Sequence, residues 1–367
     1  MQPKFTIVFA YRNRDSKRVR LSLLSLKKQI QINFEVVFID YGSMPYYSEG
    51  IKQVVDTFEY ATYHYIGHNG LLWNKSKALN YGITKAQTET IFIADVDVIF
   101  AQNFSGLVEN LMNSNQFHLF KIGYLPQSVT TEFIESSDFE RLKPKHYGDT
   151  FGIGLFPKSA LIKVGGLDEF FHFYGSEDED LNFRLISAGY KMCRCEENIL
   201  LHQWHERYPR KTKENLTVTP RLSNIQRINQ RHFLRHKENQ KAVLNETRKR
   251  RYYNKSDYKI LEKPTKIITI ENIEAHVVHY LNFELPHRKN DIVKLIVKES
   301  TYYKSLKYNI KTVLKKQAQP YLSMKQVNDL VLQKIIFNYR DFNYAYEISE
   351  DLKTILFSID LKNNHES

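Results

Sequence analysis

Cysteine is almost missing from this chain of 367 residues, which carries only Cys193 and Cys195. Two thiols one residue apart in a predicted strand point the same way and close no loop, so a disulfide scaffold is excluded and a reducing compartment is implied. Glycine (14) and proline (10) are sparse, which excludes a collagen-like or low-complexity chain. With 42% apolar residues the composition is that of a folded protein, not a disordered one. No apolar run approaches the roughly 18 to 20 residues that a membrane-crossing helix needs. The run from Phe5 to Tyr11 stops at Arg12 without a small-residue cleavage site, so it reads as a buried strand and not a secretion signal. Neither GxGxxG nor GxxxxGK[ST] follows that strand, which argues against a dinucleotide dehydrogenase and a P-loop enzyme. The expectation is a soluble, cytoplasmic or peripheral protein of roughly two or three domains.

Aromatic residues and positive charge are abundant instead. Tyrosine (24) and phenylalanine (23) exceed ordinary usage, and the net charge of +12 is unevenly spread. Residues 1–205 hold 21 basic against 23 acidic side chains, whereas residues 206–367 hold 32 against 18. The two parts are therefore expected to do different work.

The order of elements in the first part predicts an α/β architecture. A strand over Phe5–Tyr11 precedes a helical pattern from Asp15 to Ile30, with Val19, Leu23, Leu26 and Ile30 on one face. A second strand covers Phe34–Ile39, a third Tyr63–Ile66, a helix Lys75–Lys85 and a fourth strand Ile91–Ala94. Strands alternating with helices imply right-handed crossovers and a mostly parallel sheet buried on both faces. In such sheets ligands sit beyond the carboxyl ends of the strands. Those ends carry Arg12, Asn13 and Arg14, then Asp40, then Asp95 and Asp97.

Three segments carry candidate chemistry. IFIADVDVIF puts Asp95 and Asp97 at a strand end on one side, where a divalent cation suits them, although an isolated DxD is more often a solvated turn. FYGSEDEDLNFRLISAGY reads as a helix entered through a capping box, Ser176 with Glu179, and ended by Gly189. Its first turn holds Glu177, Asp178, Glu179 and Asp180. The helix dipole accounts for one or two of these, and the mutual repulsion of four disfavours full ionisation. A carboxylate held there is well set as a general base. ILLHQWHER brackets Trp204 with His202 and His205 at the end of another apolar strand, where a histidine could complete a metal site begun by Asp97.

FAYRNR, DVD, GGLDEFFHFYGSEDEDLNFRL and the later histidine occur in this order, and together they resemble the GT-A glycosyltransferases of family 2. The likeness is to β-1,4-galactosyltransferases, chondroitin-polymerase-type enzymes and polypeptide N-acetylgalactosaminyltransferases. It covers about residues 4–207, with Gly165–Arg184 the most diagnostic stretch. It implies a GT-A fold, a Rossmann-like mixed sheet flanked by helices; it does not extend to the basic carboxyl-terminal part, whose strand-like and helical runs read as a smaller α+β accessory region. It further implies that Arg12, Arg14, Asp40, Lys77 and Asp95 bind the donor nucleotide, with Asn80 near the same place. Asp97 and His202 would bind Mn²⁺ (or Mg²⁺), with His205 as a rival ligand and Asp95 acting through water. Asp178 would be the base, while Tyr174, Gly175, Glu177 and Trp73 would contact sugars. The galactosyltransferase motif has Trp and two Gly where this chain has Tyr174, Gly175 and Ser176. A lone Trp beside a helix, such as Trp73, is more often core, and Lys77 and Asn80 equally suit an ordinary helix surface.

The implied activity is metal-dependent transfer of a sugar (Gal, GalNAc, Glc or GlcNAc type) from a UDP-sugar to a glycan hydroxyl by inversion, in bacterial surface polysaccharide or glycoconjugate synthesis. The alternatives are a retaining transferase acting on protein or polymer hydroxyls, and an inactive scaffold that binds an anionic polymer or nucleic acid. The domain boundary is expected at 219/220, and the polar stretch from Trp204 to about Thr219 reads as a lid or a linker. Residues 206–260 carry 16 basic and 5 acidic side chains. With interleaved aromatics they suit an anionic or lipid-linked glycan acceptor, or contact with the inner face of a membrane. No nucleic-acid-binding signature accompanies them, so nucleic acid is disfavoured. Residues 220–255 read as helices, 265–298 as strands (KIITI, AHVVHYLNF, DIVKLIV) and 325–360 as mostly helical.

Overall fold

The computed structural model describes residues 2–206, 215–244, 250–314 and 319–362. Two compact units form: Met1–Ile66, Trp73–Arg207 and Gln226–Arg248 make the first, and Gly67–Leu72, Tyr208–Ile225 and Lys249–Ser367 the second. Among the described residues no helix is long and apolar enough to cross a membrane.

In the first unit β1 (Phe5–Tyr11), α1 (Ser16–Lys27), β2 (Phe34–Tyr41), α2 (Pro45–Val55), β3 (Ala61–Ile66), α3 (Lys75–Lys85) and β4 (Thr90–Ala94) follow one another as the alternating pattern predicts. Asp15 caps α1 by accepting from Lys17 N, and Val19, Leu23 and Leu26 are buried beneath it. The helix stops at Lys27, so Ile30, expected on its inner face, is three quarters exposed. The chain continues through β5 (Val98–Phe100), α4 (Phe104–Leu111), β6 (Gln116–Tyr124), α5 (Thr131–Ser136), β7 (His146–Pro157), α6 (Lys158–Lys163), α7 (Glu177–Ser187), β8 (Lys191–Cys195) and β9 (Leu200–His202). Among the described residues the sheet has nine strands in the order β3-β2-β1-β4-β7-β6-β9-β5, with β8 also on β6. Strands β1 to β4 are mutually parallel, and β7 enters antiparallel to both β4 and β6. A mixed α/β sheet flanked by helices is thus the architecture expected from the sequence. The excess of phenylalanine sits in its core, where Phe92, Phe100, Phe104 and Phe120 meet mostly edge to face at centroid distances of 4.7–6.4 Å.

Helix α8 (Ile225–Glu238) lies beyond the 219/220 boundary read from the sequence, yet it belongs to the first unit. One of its anchors is Asp180, a fully buried residue whose Oδ1 lies 2.6 Å from His236 Nδ1. Asp180 Oδ2 also accepts from Arg184 Nε at 2.8 Å, and Arg184 Nη1 donates to the carbonyls of Val164 (2.9 Å) and Gly166 (2.7 Å). Removing one partner of a buried ion pair leaves the other charge uncompensated. Arg184→Met is therefore expected to lower the unfolding free energy by about 3–5 kcal/mol in equilibrium urea titration, and a loss under 1 kcal/mol would contradict this role.

The second unit is a small α+β body. It contains α9 (Lys255–Leu261), β10 (Lys266–Glu271), α10 (Glu274–His279), α11 (Leu285–His287), β11 (Ile292–Lys298), α12 (Leu306–Val313), α13 (Met324–Lys334), β12 (Tyr344–Ile348) and β13 (Thr354–Asp360). Its four-stranded sheet runs β10-β11-β13-β12. Two expectations are corrected here. AHVVHYLNF is helical, because Val277, Tyr280 and Leu281 recur at helical spacing and are all buried. The region 325–360 is helical only to Tyr339, after which β12 and β13 pair antiparallel with alternating burial. Tyr302, Tyr303, Tyr308 and Tyr321 pack on one another at 5.5–6.3 Å, so those rings of the aromatic-basic segment pack as a cluster.

Candidate active site

The site forms where β1, β2 and β4 end. Asn13 N donates to Ser43 Oγ (2.9 Å) and Met44 N donates to Asn13 Oδ1 (2.9 Å), which ties the turn after β1 to the turn after β2. Asp40 is fully buried and accepts from Ser43 N (3.1 Å) and Tyr63 Oη (2.8 Å). Burial pushes its carboxyl above the ordinary range, against the pull of those donors and of the Arg12 guanidinium. As it stands, then, Asp40 fastens the end of β2 and faces Arg12.

Asp97 gains its neighbours through strand register. β5 pairs antiparallel with β9 so that Val98 lies opposite His202, and Gln203 N donates to the Asp97 carbonyl at 3.1 Å. Residues over 100 positions apart thereby meet. Asp97 Oδ1 lies 3.6 Å from His202 Nε2, and Oδ2 lies 3.6 Å from His205 Nε2. One ligand atom from each of the three falls within 4.8 Å of the others, a spacing that fits a divalent cation. Both histidines thus stand beside Asp97 in one cluster. Burial lowers the pKa of His205, favouring the neutral imidazole that a cation requires.

Asp95 is engaged differently. Its Oδ1 accepts from Lys75 Nζ at 2.9 Å, and that ammonium holds the carboxyl below the ordinary carboxylate range. Lys75 opens α3 just after its cap, Asn74, whose side chain accepts from Lys77 N. Sequence reading singles out Lys77 and not Lys75, since only the direction of the first helical turn separates them. Lys77 is buried and its Nζ sits 3.5 Å from Glu169, while Asn80 is spent on Leu167 and Glu169. Through these contacts both side chains brace α3 against the segment before α7.

Helix α7 begins without the expected capping box. Ser176 has φ +67°, a left-handed conformation, and its hydroxyl donates to Glu179 Oε2 instead of accepting from the backbone. Phe173 (φ +62°) and Gly175 (φ +105°) are also left-handed, so this turn stores strain. It is held by Asn229 of α8, whose Nδ2 donates to the carbonyls of His172 and Tyr174 at 3.1 Å each, and by Phe173 N donating to the Trp73 carbonyl. Sequence reading missed Asn229 because nothing in a basic helix marks one amide as the support of a loop 55 residues away. Glu177 is buried and accepts from Gly175 N at 2.9 Å. The Tyr174 ring is 68% exposed, whereas Trp73 is half-buried, edge-on to Tyr41 at 6.1 Å.

Asp178 packs against the bare Cα of Gly152 in β7. A Cβ at that position would meet Asp178 Oδ2 at 2.3 Å, so only glycine lets the carboxylate sit there. Burial and then the Glu177 charge raise the Asp178 pKa to about 7, opposed by Lys75, with Asp95 and Glu179 adding to the rise. Arg14 and His202 act on Asp95, and Asp95 acts on Asp178. Arg14, Lys75, Asp95, Asp178 and the Asp97 cluster are thus electrostatic neighbours at one mouth.

Residues 6–154 match the profile of glycosyl transferase family 2, and residues 135–207 match the N-terminal domain of galactosyltransferase. The amino-terminal part of this chain is a family 2 glycosyltransferase domain. Solved structures similar to it include a mannosyltransferase, PcManGT, from Pyrobaculum calidifontis in complex with GDP-Man and Mn²⁺, at 14% identity and TM-score 0.42 over 58% of this chain and 60% of that one. S. aureus TarS is similar at 16% identity and TM-score 0.41, covering 55% of this chain and 37% of that one. The chain therefore spans less than two thirds of the length of either protein. The profile matches end at residue 207, so all of the second unit except its Gly67–Leu72 segment lies outside the matched residues. Of the polar stretch expected to be a lid or linker, residues 207–214 lie outside the described residues.

Proposed function

We propose that the glycosyltransferase domain moves a hexose-type sugar from a UDP-sugar to a hydroxyl of a glycan or lipid-linked glycan acceptor in one inverting displacement. The observation that carries this reading is a carboxylate with a pKa raised to about 7, Asp178, beside strand ends that also hold the Asp97, His202 and His205 trio. That trio suits Mn²⁺ better than Mg²⁺, because two imidazoles stand among the ligands and Mg²⁺ favours an oxygen shell. When bound there, the cation would act as a Lewis acid that neutralises charge on the departing diphosphate.

The side chains divide the remaining work. Asp178 accepts the acceptor hydroxyl's proton as that oxygen bonds to the anomeric carbon and the bond to the diphosphate breaks. Lys75 favours the ionised form of Asp178 and holds Asp95 in place. Glu177, fixed by Gly175 N, orients a sugar hydroxyl, and the exposed Tyr174 ring offers a stacking face for a pyranose. Arg12 and Arg14 supply positive charge toward the nucleotide. The basic excess of residues 206–367 supports an anionic acceptor or an anionic surface nearby.

Measuring nucleotide release across a donor panel with Mn²⁺ tests the reading, and turnover of at least one UDP-sugar is expected. Because the base works only when deprotonated, kcat/KM should rise about tenfold per pH unit below about 7 and level off above it. The groups facing Asp178 are Glu177 and Glu179 on its own helix, Lys75 from α3 and Asp95 after β4. Lys75→Met removes the one cation among them and should move the midpoint to higher pH. No turnover of any donor, or a flat profile between pH 5 and 8, would count against the proposal.

A further inference from the structure

A second cluster of ligand atoms lies on α8, apart from the strand ends. His232 and His236 are four residues apart, so both rings leave the same helical face. Asp168, in the segment leading to α7, points its Oδ2 between them, 2.8 Å from His232 Nε2 and 3.7 Å from His236 Nε2. One ligand atom from each of the three residues lies within 4.8 Å of the other two, and the cluster shares no residue with the Asp97 trio. In a tetrahedral site with bonds of about 2.0–2.1 Å the ligand atoms stand roughly 3.3 Å apart, so the two distances to Asp168 straddle the required value.

The far nitrogen of His236 is also set. Its Nδ1 lies 2.6 Å from Asp180 Oδ1, and Asp180 is held in turn by Arg184. A carboxylate on Nδ1 fixes the tautomer that frees Nε2, an arrangement typical of metal-ligating histidines. With the His236 ring set by Asp180, its Nε2 faces the same Asp168 oxygen that His232 meets at 2.8 Å. We propose that Asp168, His232 and His236 bind one divalent transition-metal ion, zinc by the chemistry of the ligand set, with a remaining position for water. Asn229, one turn earlier on α8, holds the His172–Tyr174 turn, so the ion would clamp α8 to the segment that carries Tyr174, Gly175 and Glu177.

The test uses the full chain carrying Asp97→Ala, which weakens the other cluster. After chelator stripping, zinc is titrated in competition with a chromophoric chelator and metal content is measured after dialysis. About one zinc per chain, with affinity at least tenfold weaker once His232→Ala is added, is the expected result. Circular dichroism checks that the double variant keeps its fold. If it does not, the Asp97→Ala chain alone decides: failure to retain zinc overturns the proposal. Equal zinc affinity in a folded double variant overturns it as well.

Discussion

Asp178→Asn is expected to bind donor normally and to transfer sugar roughly 10² to 10⁴ times more slowly. Asparagine keeps the shape that fits over Gly152, so the packing survives, but its amide cannot take the acceptor proton at neutral pH. The wild-type carboxylate is suited to that task because burial and Glu177 raise its pKa to about 7 while Lys75 keeps it from rising further. Nucleotide-release kinetics give kcat, and calorimetry with the donor nucleotide gives affinity. A kcat equal to wild type would remove Asp178 as the base. Joint loss of donor binding and transfer would mean that the residue shapes the pocket instead.

Asp97→Ala is expected to abolish the stimulation of turnover by Mn²⁺. Asp97 supplies the only carboxylate of its cluster and lies 3.6 Å from each imidazole, so its loss leaves two neutral ligands without a counter-charge. Losing electrostatic stabilisation of the leaving diphosphate costs on the order of 10² to 10³ in rate. Turnover measured against Mn²⁺ concentration checks this. An unchanged Mn²⁺ response in the variant would contradict the ligand assignment.

The sequence was most informative where local pattern and buried strands agree. The alternation from Phe5 to Ala94 and the acidic start of α7 could be read directly, since apolar periodicity and the strand-end rule need only neighbouring residues. What escaped was set by long-range register or by one torsion. His205 stands only as a rival to His202 in the sequence, because it is the β5–β9 pairing that brings both to Asp97. Lys75 escaped where Lys77 was singled out, since both open the same helix and only the first turn's direction makes one face Asp95 and the other Glu169. The capping box failed because Ser176 is left-handed, which spacing does not encode. In the second unit, residues 344–360 read as helix because short apolar runs suit either period, and pairing with β11 decides for strand.

Crystals soaked with UDP and Mn²⁺, with data collected at the manganese edge, test the central claim most directly. The account predicts one strong anomalous peak among Asp97, His202 and His205, with the diphosphate on it and Asp178 facing the open side. A manganese peak away from these three side chains, or a nucleotide bound away from the ends of β1, β2 and β4, would contradict it.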